Sequence, residues 1–399
     1  MFQRLLALAS GLGLLAGVCL SLAAQASVPA GQTARPQAVA DLNQMWSQGK
    51  AEGNGPVRLA TFPLRVEDIR HINPMGSMAS GHTTPNDHLS LVAKESQDKG
   101  KLYDVLAVAD GRVVIIQWRP NPVGGQPDPT VFDRAVDLKV TVEHAATCWS
   151  YVDHLVELDP AIQKQVGGEL KPGQPFWVRI PVKAGQVIGK VRGGFTFDFA
   201  LIDTTVTRTG FVVPEQFQKR DPQKVHVVDP FDYIDEPLRT RMLALNPRKT
   251  KPLGGRIDYD IDGKLVGNWY RKGTGGYAGL DRRWDYWVGH LAFAYHHVDP
   301  TQVIISIGEL EGRARQFQVR GNAPDPAKVG PEDGVVKYSL VAPRIDNRTG
   351  KPLAGEAEQF YGVLLTRVLD GRKIRVEVFS GKTPEEVKDF TQAALVYER

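Results

Sequence analysis

Apolar and polar side chains alternate along most of this chain with the two-residue period of a β-strand. The stretch "VDLKVTVEH" (136–144) does so over its whole length, and "WSYVDHLVEL" (149–158) follows it. In "YDVLAVADGRVVIIQW" (103–118) two β runs flank Asp110-Gly111, a dipeptide that predicts a hairpin turn. The segment 176–203 is a train of short apolar runs cut by Gly and Pro. Residues 62–215 therefore read as nearly all β. A second β series starts at Gly255. "RIDYDIDGKLVGNWY" (256–270) predicts strand, Asp262-Gly263 turn and strand, and 360–380 predicts a hairpin at Asp370-Gly371. Helical patterns are brief, around 38–49 and 235–245. A last one is expected near the end, where Thr383 can cap, Pro384 takes the first helical position and Glu386 completes a capping box.

The predicted fold class is mainly β: one β domain over 62–215, a Pro-, Lys- and Arg-rich linker over 216–254, and a β-rich sandwich or barrel over 255–399 with a terminal helix. The first 26 residues carry Arg4, an apolar run and the small residues "AQA", the order of a secretory signal peptide. Residues 27–61 are a lead-in. An exported protein, periplasmic or extracellular, with no membrane span after signal cleavage, is the expectation. The chain's formal charge is +4, and losing Arg4 with the signal leaves +3. That excess suits an anionic envelope polymer but gives no argument for nucleic acid. Only Cys148 would remain of the two cysteines, which excludes a disulfide framework and reads as a small buried side chain.

Candidate chemistry concentrates in "GHTTPNDHLSL" (81–91). On a regular strand His82 and His88 would share a face and Asp87 would oppose them. A bulge at Pro85 would bring His82 and Asp87 to one side. Imidazole plus carboxylate with an open water position is the donor set of a catalytic zinc site. Two readings stay open from these residues, a metal site and a polar turn entering a strand. In the second domain "DYDIDG" (258–263) starts like a calcium loop, but Trp269 stands at the twelfth position, so a hairpin turn is favoured. "GNWY" (267–270) resembles the lipocalin G-x-W. The aromatics and histidines of 284–297 suggest a sugar-stacking face. His296 and His297 are adjacent, and on a strand they would face opposite ways.

The order of motifs resembles the lysostaphin-type zinc metallopeptidases, peptidoglycan endopeptidases with a duplicated-hybrid-motif β fold. Ala107, Asp110, Gly111 and Val113 match that family's A-x-x-D-G-x-V hairpin. His144 matches a strand-end histidine, and Tyr151, His154 and Leu155 match Y-x-H-L. Val182, Gly185, Gln186, Ile188 and Gly189 match V-x-x-G-Q-x-I-G. The resemblance covers about residues 70–205. It implies zinc held by His82, Asp87 and Asp198, with His88 as an alternative ligand, and a catalytic role for His154. Two departures stand out. Four residues rather than three separate His82 from Asp87, and the His-x-His of the family is Thr196-Phe197-Asp198 here. Thr196 cannot shuttle a proton near neutral pH as imidazole does, and an extra carboxylate ligand makes the site harder and more anionic.

The leading expectation is a divergent zinc metallopeptidase-like protein acting on cell-wall peptides, with peptidoglycan as partner. The alternatives are a catalytically inactive envelope-binding or scaffold protein on the same fold, and a carbohydrate-binding protein using the C-terminal aromatics.

Overall fold

Ten short strands build the first half of the computed structural model. They are β1 (Ile69–Asn73), β2 (Leu89–Ala93), β3 (Leu102–Leu106), β4 (Gly111–Trp118), β5 (Leu138–Ala145), β6 (Cys148–Leu155), β7 (Glu157–Leu158), β8 (Pro175–Val182), β9 (Val187–Arg192) and β10 (Thr196–Asp203). The structure describes residues 41–79, 81–95, 100–119, 136–280, 285–321, 323–346, 351, 353 and 359–399. The expected signal peptide and most of the lead-in lie outside the described residues.

Seven of the strands form one antiparallel sheet in the order β1-β2-β10-β6-β5-β4-β8, and β3, β9 and β7 form a smaller one. The core between them is made by inward residues such as Leu91, Val105, Val140, Phe197 and Phe199, all buried. The expected hairpin at Asp110-Gly111 is a corner instead. β3 pairs with β9, whereas β4 pairs with β5 and β8. Close packing explains it. A Cβ on Gly111 would stand 2.2 Å from the Glu143 carbonyl oxygen, so the chain at this point lies flat on β5. The Asp110 carboxylate is drawn toward the β8–β9 turn, accepting from the Ala184 N–H at 2.9 Å and Lys183 Nζ at 2.8 Å. Cys148 is buried, as expected, and burial pushes its thiol up to about 12.

The two early helical patterns form as short α-helices, Leu42–Ser47 and Leu238–Ala244. Asp41 caps the first, accepting from the Gln44 N–H at 3.2 Å. The segment 216–254 is packed against the first sheets. Val225, Phe231 and Met242 belong to their core. By its contacts the chain from Ala38 onward is one unit.

The second β series closes on itself as β11 (Gly267–Arg271), β12 (His290–Tyr295), β13 (Val303–Leu310), β14 (Arg313–Arg320), β15 (Val336–Val341), β16 (Phe360–Leu369), β17 (Lys373–Ser380) and β18 (Leu395–Glu398). They form an eight-stranded barrel in chain order, sealed where β18 pairs with β11. Eight strands leave an interior that side chains fill, here Trp269, Phe293, Ile305, Tyr338 and Leu364 among others. The hairpin at Asp370-Gly371 is present between β16 and β17.

Three expectations for this half are corrected. Residues 256–261 form no strand; they run beside 208–212, with the Asp260 N–H donating to the Gly210 carbonyl at 2.9 Å. The terminal helix is replaced by turns and β18. Half of the Thr383–Glu386 box forms, the Thr383 N–H donating to Glu386 Oε2 at 2.8 Å, while the Glu386 N–H goes to the Thr383 carbonyl at 3.2 Å. Lys337 Nζ then takes the Pro384 and Val387 carbonyls at 2.8 and 2.6 Å, acceptors that a helix would use internally. His296 and His297 follow the end of β12 rather than sitting on a strand. Their rings therefore lie 4.5 Å apart instead of on opposite faces.

Arg399 locks the sealed seam. Its guanidinium lies 4.0 Å from the Trp269 ring centroid and donates to the carbonyls of Val266 (2.8 Å), Ile261 (2.6 Å) and Lys264 (2.6 Å). Arg399→Ala strands the buried Val266 carbonyl, removes the ring contact and the two other bonds, and is expected to destabilise the chain by about 2 kcal/mol. Urea denaturation checks this. An unchanged midpoint would show that the seam holds without the guanidinium.

Candidate functional site

Three adjacent strands, β2, β10 and β6, bring the site together, because their register is set by which residues must face the core. Asp198 of β10 stands opposite Ser90 of β2 and Asp153 of β6. The loop before β2 is pinned rather than free. Asn86 Oδ1 accepts from the N–H groups of Gly76 (2.8 Å) and Ser77 (2.9 Å), and buried Lys224 donates to the Pro85 carbonyl at 2.9 Å. Gly81 is required where it stands, since a Cβ there would meet the Trp287 indole at 2.9 Å. These anchors deliver Asp87 and His88 into the interior, both buried.

At the other end the ladder between β5 and β6 is irregular, its register shifting between Leu138 and Val140. His154 takes the left-handed conformation there, with φ of +68°. Such a backbone is costly for a non-glycine residue and recurs at functional sites. The bulge turns the imidazole toward Asp198.

The result is a relay of alternating charges. His88 Nδ1 lies 3.2 Å from Asp87 Oδ1, and His88 Nε2 lies 3.2 Å from Asp198 Oδ2. The same Asp198 oxygen is 3.2 Å from His154 Nε2, and its other oxygen accepts from Ser90 Oγ at 3.0 Å. His154 Nδ1 is 3.2 Å from Asp137 Oδ1. Arg119 closes the series, with Nη2 at 3.0 Å from Asp137, Nη1 at 2.8 Å from Asp153, and Nη2 at 2.7 Å from His154 Nδ1.

Electrostatics follow from that alternation. Burial disfavours charge on His154, but hydrogen bonds to Asp137 and Asp198 outweigh it and raise the pKa to about 9. For His88, Asp198 and then Asp87 outweigh burial in the same way, and its pKa rises. Burial likewise opposes charge on Asp198, yet His88 and His154 hold it well below the usual carboxylate range. Asp137 is depressed to about 2, its bonds to His154 and Arg119 overcoming burial. The His82 ring packs edge-on against His88 with 5.2 Å between centroids. Desolvation and then the His88 charge lower its pKa, although the residue keeps solvent contact.

Of the residues singled out in the sequence, His88, Asp198 and His154 thus meet through one carboxylate oxygen. Asp87 reaches them through His88, and His82 packs on the His88 ring. The sequence reading missed Asp137, Asp153, Arg119, Ser90 and Lys224. Asp153 is the neighbour of His154 and Asp137 opens the alternating strand, so both lay beside residues already marked. Arg119 and Lys224 carried no motif. His144 does not join the site; it pairs with the Asp110 carbonyl at 3.0 Å and Ser150 Oγ at 2.8 Å.

Zinc on His82, Asp87 and Asp198 requires their ligand atoms to converge. Among the described residues, the group whose ligand atoms all lie within 4.8 Å of one another is Asp137, Asp153 and His154. Its donors suit a metal in kind, but the Arg119 guanidinium already pairs with both carboxylates and lies against His154 Nδ1 at 2.7 Å. The group that converges among the described residues is thus not the expected one, and it lies against an arginine.

No family model matches the sequence, and no curated protein matches it. Among solved structures the chain is similar to a zinc-containing peptidase from Vibrio cholerae, with 16% identity and a TM-score of 0.22. That match covers 37% of this chain and only 37% of that one. It is also similar to the SpoIIQ–SpoIIIAH pore-forming complex, with 16% identity over 47% of this chain and 96% of that one and a TM-score of 0.25. A third is lysostaphin, with 11% identity over 85% and 90% and a TM-score of 0.24. Identities and scores this low carry no residue's role across.

Proposed function

We propose that this chain is exported and acts as a non-catalytic binding or scaffold protein of the cell envelope, on a metallopeptidase-like β domain joined to a barrel. One observation carries this reading. The Asp198 carboxylate, which the resemblance makes a zinc ligand, is instead taken up between His88 Nε2 and His154 Nε2, each 3.2 Å from the same oxygen. His154, held protonated at neutral pH between two carboxylates, is spent as an ion-pair partner and is not a free base. The partner we assign is the anionic cell wall, from the sequence resemblance, the signal-like leader and the small positive charge of the mature chain.

The competing reading is a divergent zinc peptidase that hydrolyses cell-wall peptides. A single observation favours it: His88 Nε2 is buried and makes no hydrogen bond, being off line for Asp198. Metal content and peptidoglycan assays on the purified mature chain separate the two. We expect sedimentation with sacculi, no stoichiometric zinc and no release of soluble fragments. Zinc at one per chain, lost in Asp198→Ala together with fragment release, would replace this reading with the peptidase.

A further inference from the structure

Resting on the non-catalytic reading above, we propose that Arg119 is a built-in counter-cation occupying a latent divalent-metal site made by Asp137, Asp153 and His154.

The geometry behind this is specific. One imidazole nitrogen and two carboxylates converge within 4.8 Å, the donor number and kind from which three-ligand transition-metal sites are made. Two of those donors are set by opposite ends of the β5–β6 ladder irregularity. Asp137 immediately precedes β5, and His154 is turned inward by its left-handed backbone. Asp153 faces Asp198 across β6 and β10, so the cluster stands beside a further carboxylate. Arg119 immediately follows β4, where its N–H donates to the Asp137 carbonyl at 2.8 Å, and its side chain then folds back over the donors. Both terminal nitrogens are used, Nη1 on Asp153 and Nη2 on Asp137, with Nη2 also 2.7 Å from His154 Nδ1.

A surface ion pair formed by chance does not take this form. Asp137 and His154 side chains are each 15% exposed and Asp153 is 7% exposed, so these donors are held largely out of water. Buried carboxylates demand a cation. The guanidinium provides one positive charge at fixed positions, and unlike a metal ion it cannot dissociate. The Arg119 side chain keeps 38% of its surface exposed, so the cluster lies one side chain away from solvent. Removing that side chain leaves the acidic donors without their cation and opens a path for an aqueous ion. The latent site would take a borderline transition cation such as zinc.

The test compares wild type, Arg119→Ala and Arg119→Ala/Asp137→Asn by calorimetric zinc titration at neutral pH, with thermal melts in zinc and in chelator. We expect no saturable zinc binding by wild type and one zinc per chain in Arg119→Ala. Zinc should raise the melting temperature of Arg119→Ala and leave wild type unmoved. Adding Asp137→Asn should weaken the acquired site by about tenfold or more. Arg119→Gln fills the space without the charge and is read the same way if Arg119→Ala does not fold. Folded variants that bind no zinc, or variants of both kinds that zinc does not restore to the folded state, overturn the assignment and leave the non-catalytic reading standing. Zinc held one-to-one by wild type overturns the non-catalytic reading itself.

Discussion

Asp198→Asn is expected to cost about 3–5 kcal/mol of stability, the loss typical of breaking a buried ion pair from one side. The substitution keeps the shape of the side chain and removes its charge. One carboxylate oxygen serves both His88 Nε2 and His154 Nε2 at 3.2 Å, so two imidazoles lose their shared partner at once. Asp198 is only 7% exposed, and water cannot take its place without opening the sheet. The amide can still accept from Ser90, so the β2–β10 register should hold. The change should therefore show as a lower urea midpoint with an unchanged slope. NMR titration gives a second readout: the pKa of both histidines should fall, because Asp198 is a raising influence on each. A midpoint within experimental scatter of wild type, with both titrations unmoved, would mean that Asp198 does not couple the two rings.

How much of this was legible beforehand depends on what each signal encodes. The alternation of 136–144 gives β5 because a half-buried strand needs that period. The second series gives a barrel for the same reason, although nothing local distinguishes a barrel from a sandwich; closure depends on β18 meeting β11. The terminal capping box made the Glu386 half of its pair and still gave no helix, and Lys337, far away in sequence, takes carbonyls a helix would use. The site shows the same division. His88, Asp198 and His154 were marked by order along the chain, and the sheet brings them together. Arg119 was not, because a guanidinium filling a donor cluster has no spacing rule. It is found only when β4, β5 and β6 are placed side by side.

The same charge alternation makes stability depend on pH with a maximum near pH 6.5. For His154 the folded value of about 9 lies above the unfolded value of about 6.5. Its contribution is therefore complete below pH 6.5 and is lost as the pH rises through 9. At 1.36 kcal/mol per unit that limb amounts to about 3 kcal/mol, and His88, raised in the same direction, adds to it. The acid limb has different owners. Buried His290 has a folded value of about 3, below the unfolded histidine, so protonation favours the unfolded chain as the pH falls below 6.5. Asp137, depressed to about 2, contributes above the ordinary carboxylate range and loses that contribution as the pH falls toward 2. Urea midpoints at pH 5, 6.5, 8 and 9 should trace the dome. His154→Gln should lower the midpoint at pH 6.5 and flatten the alkaline limb, because the variant has no proton to lose there. Equal wild-type midpoints at pH 6.5 and pH 9 would show that His154 is not held charged between Asp137 and Asp198, and the relay would then have to be drawn with a neutral imidazole at its centre.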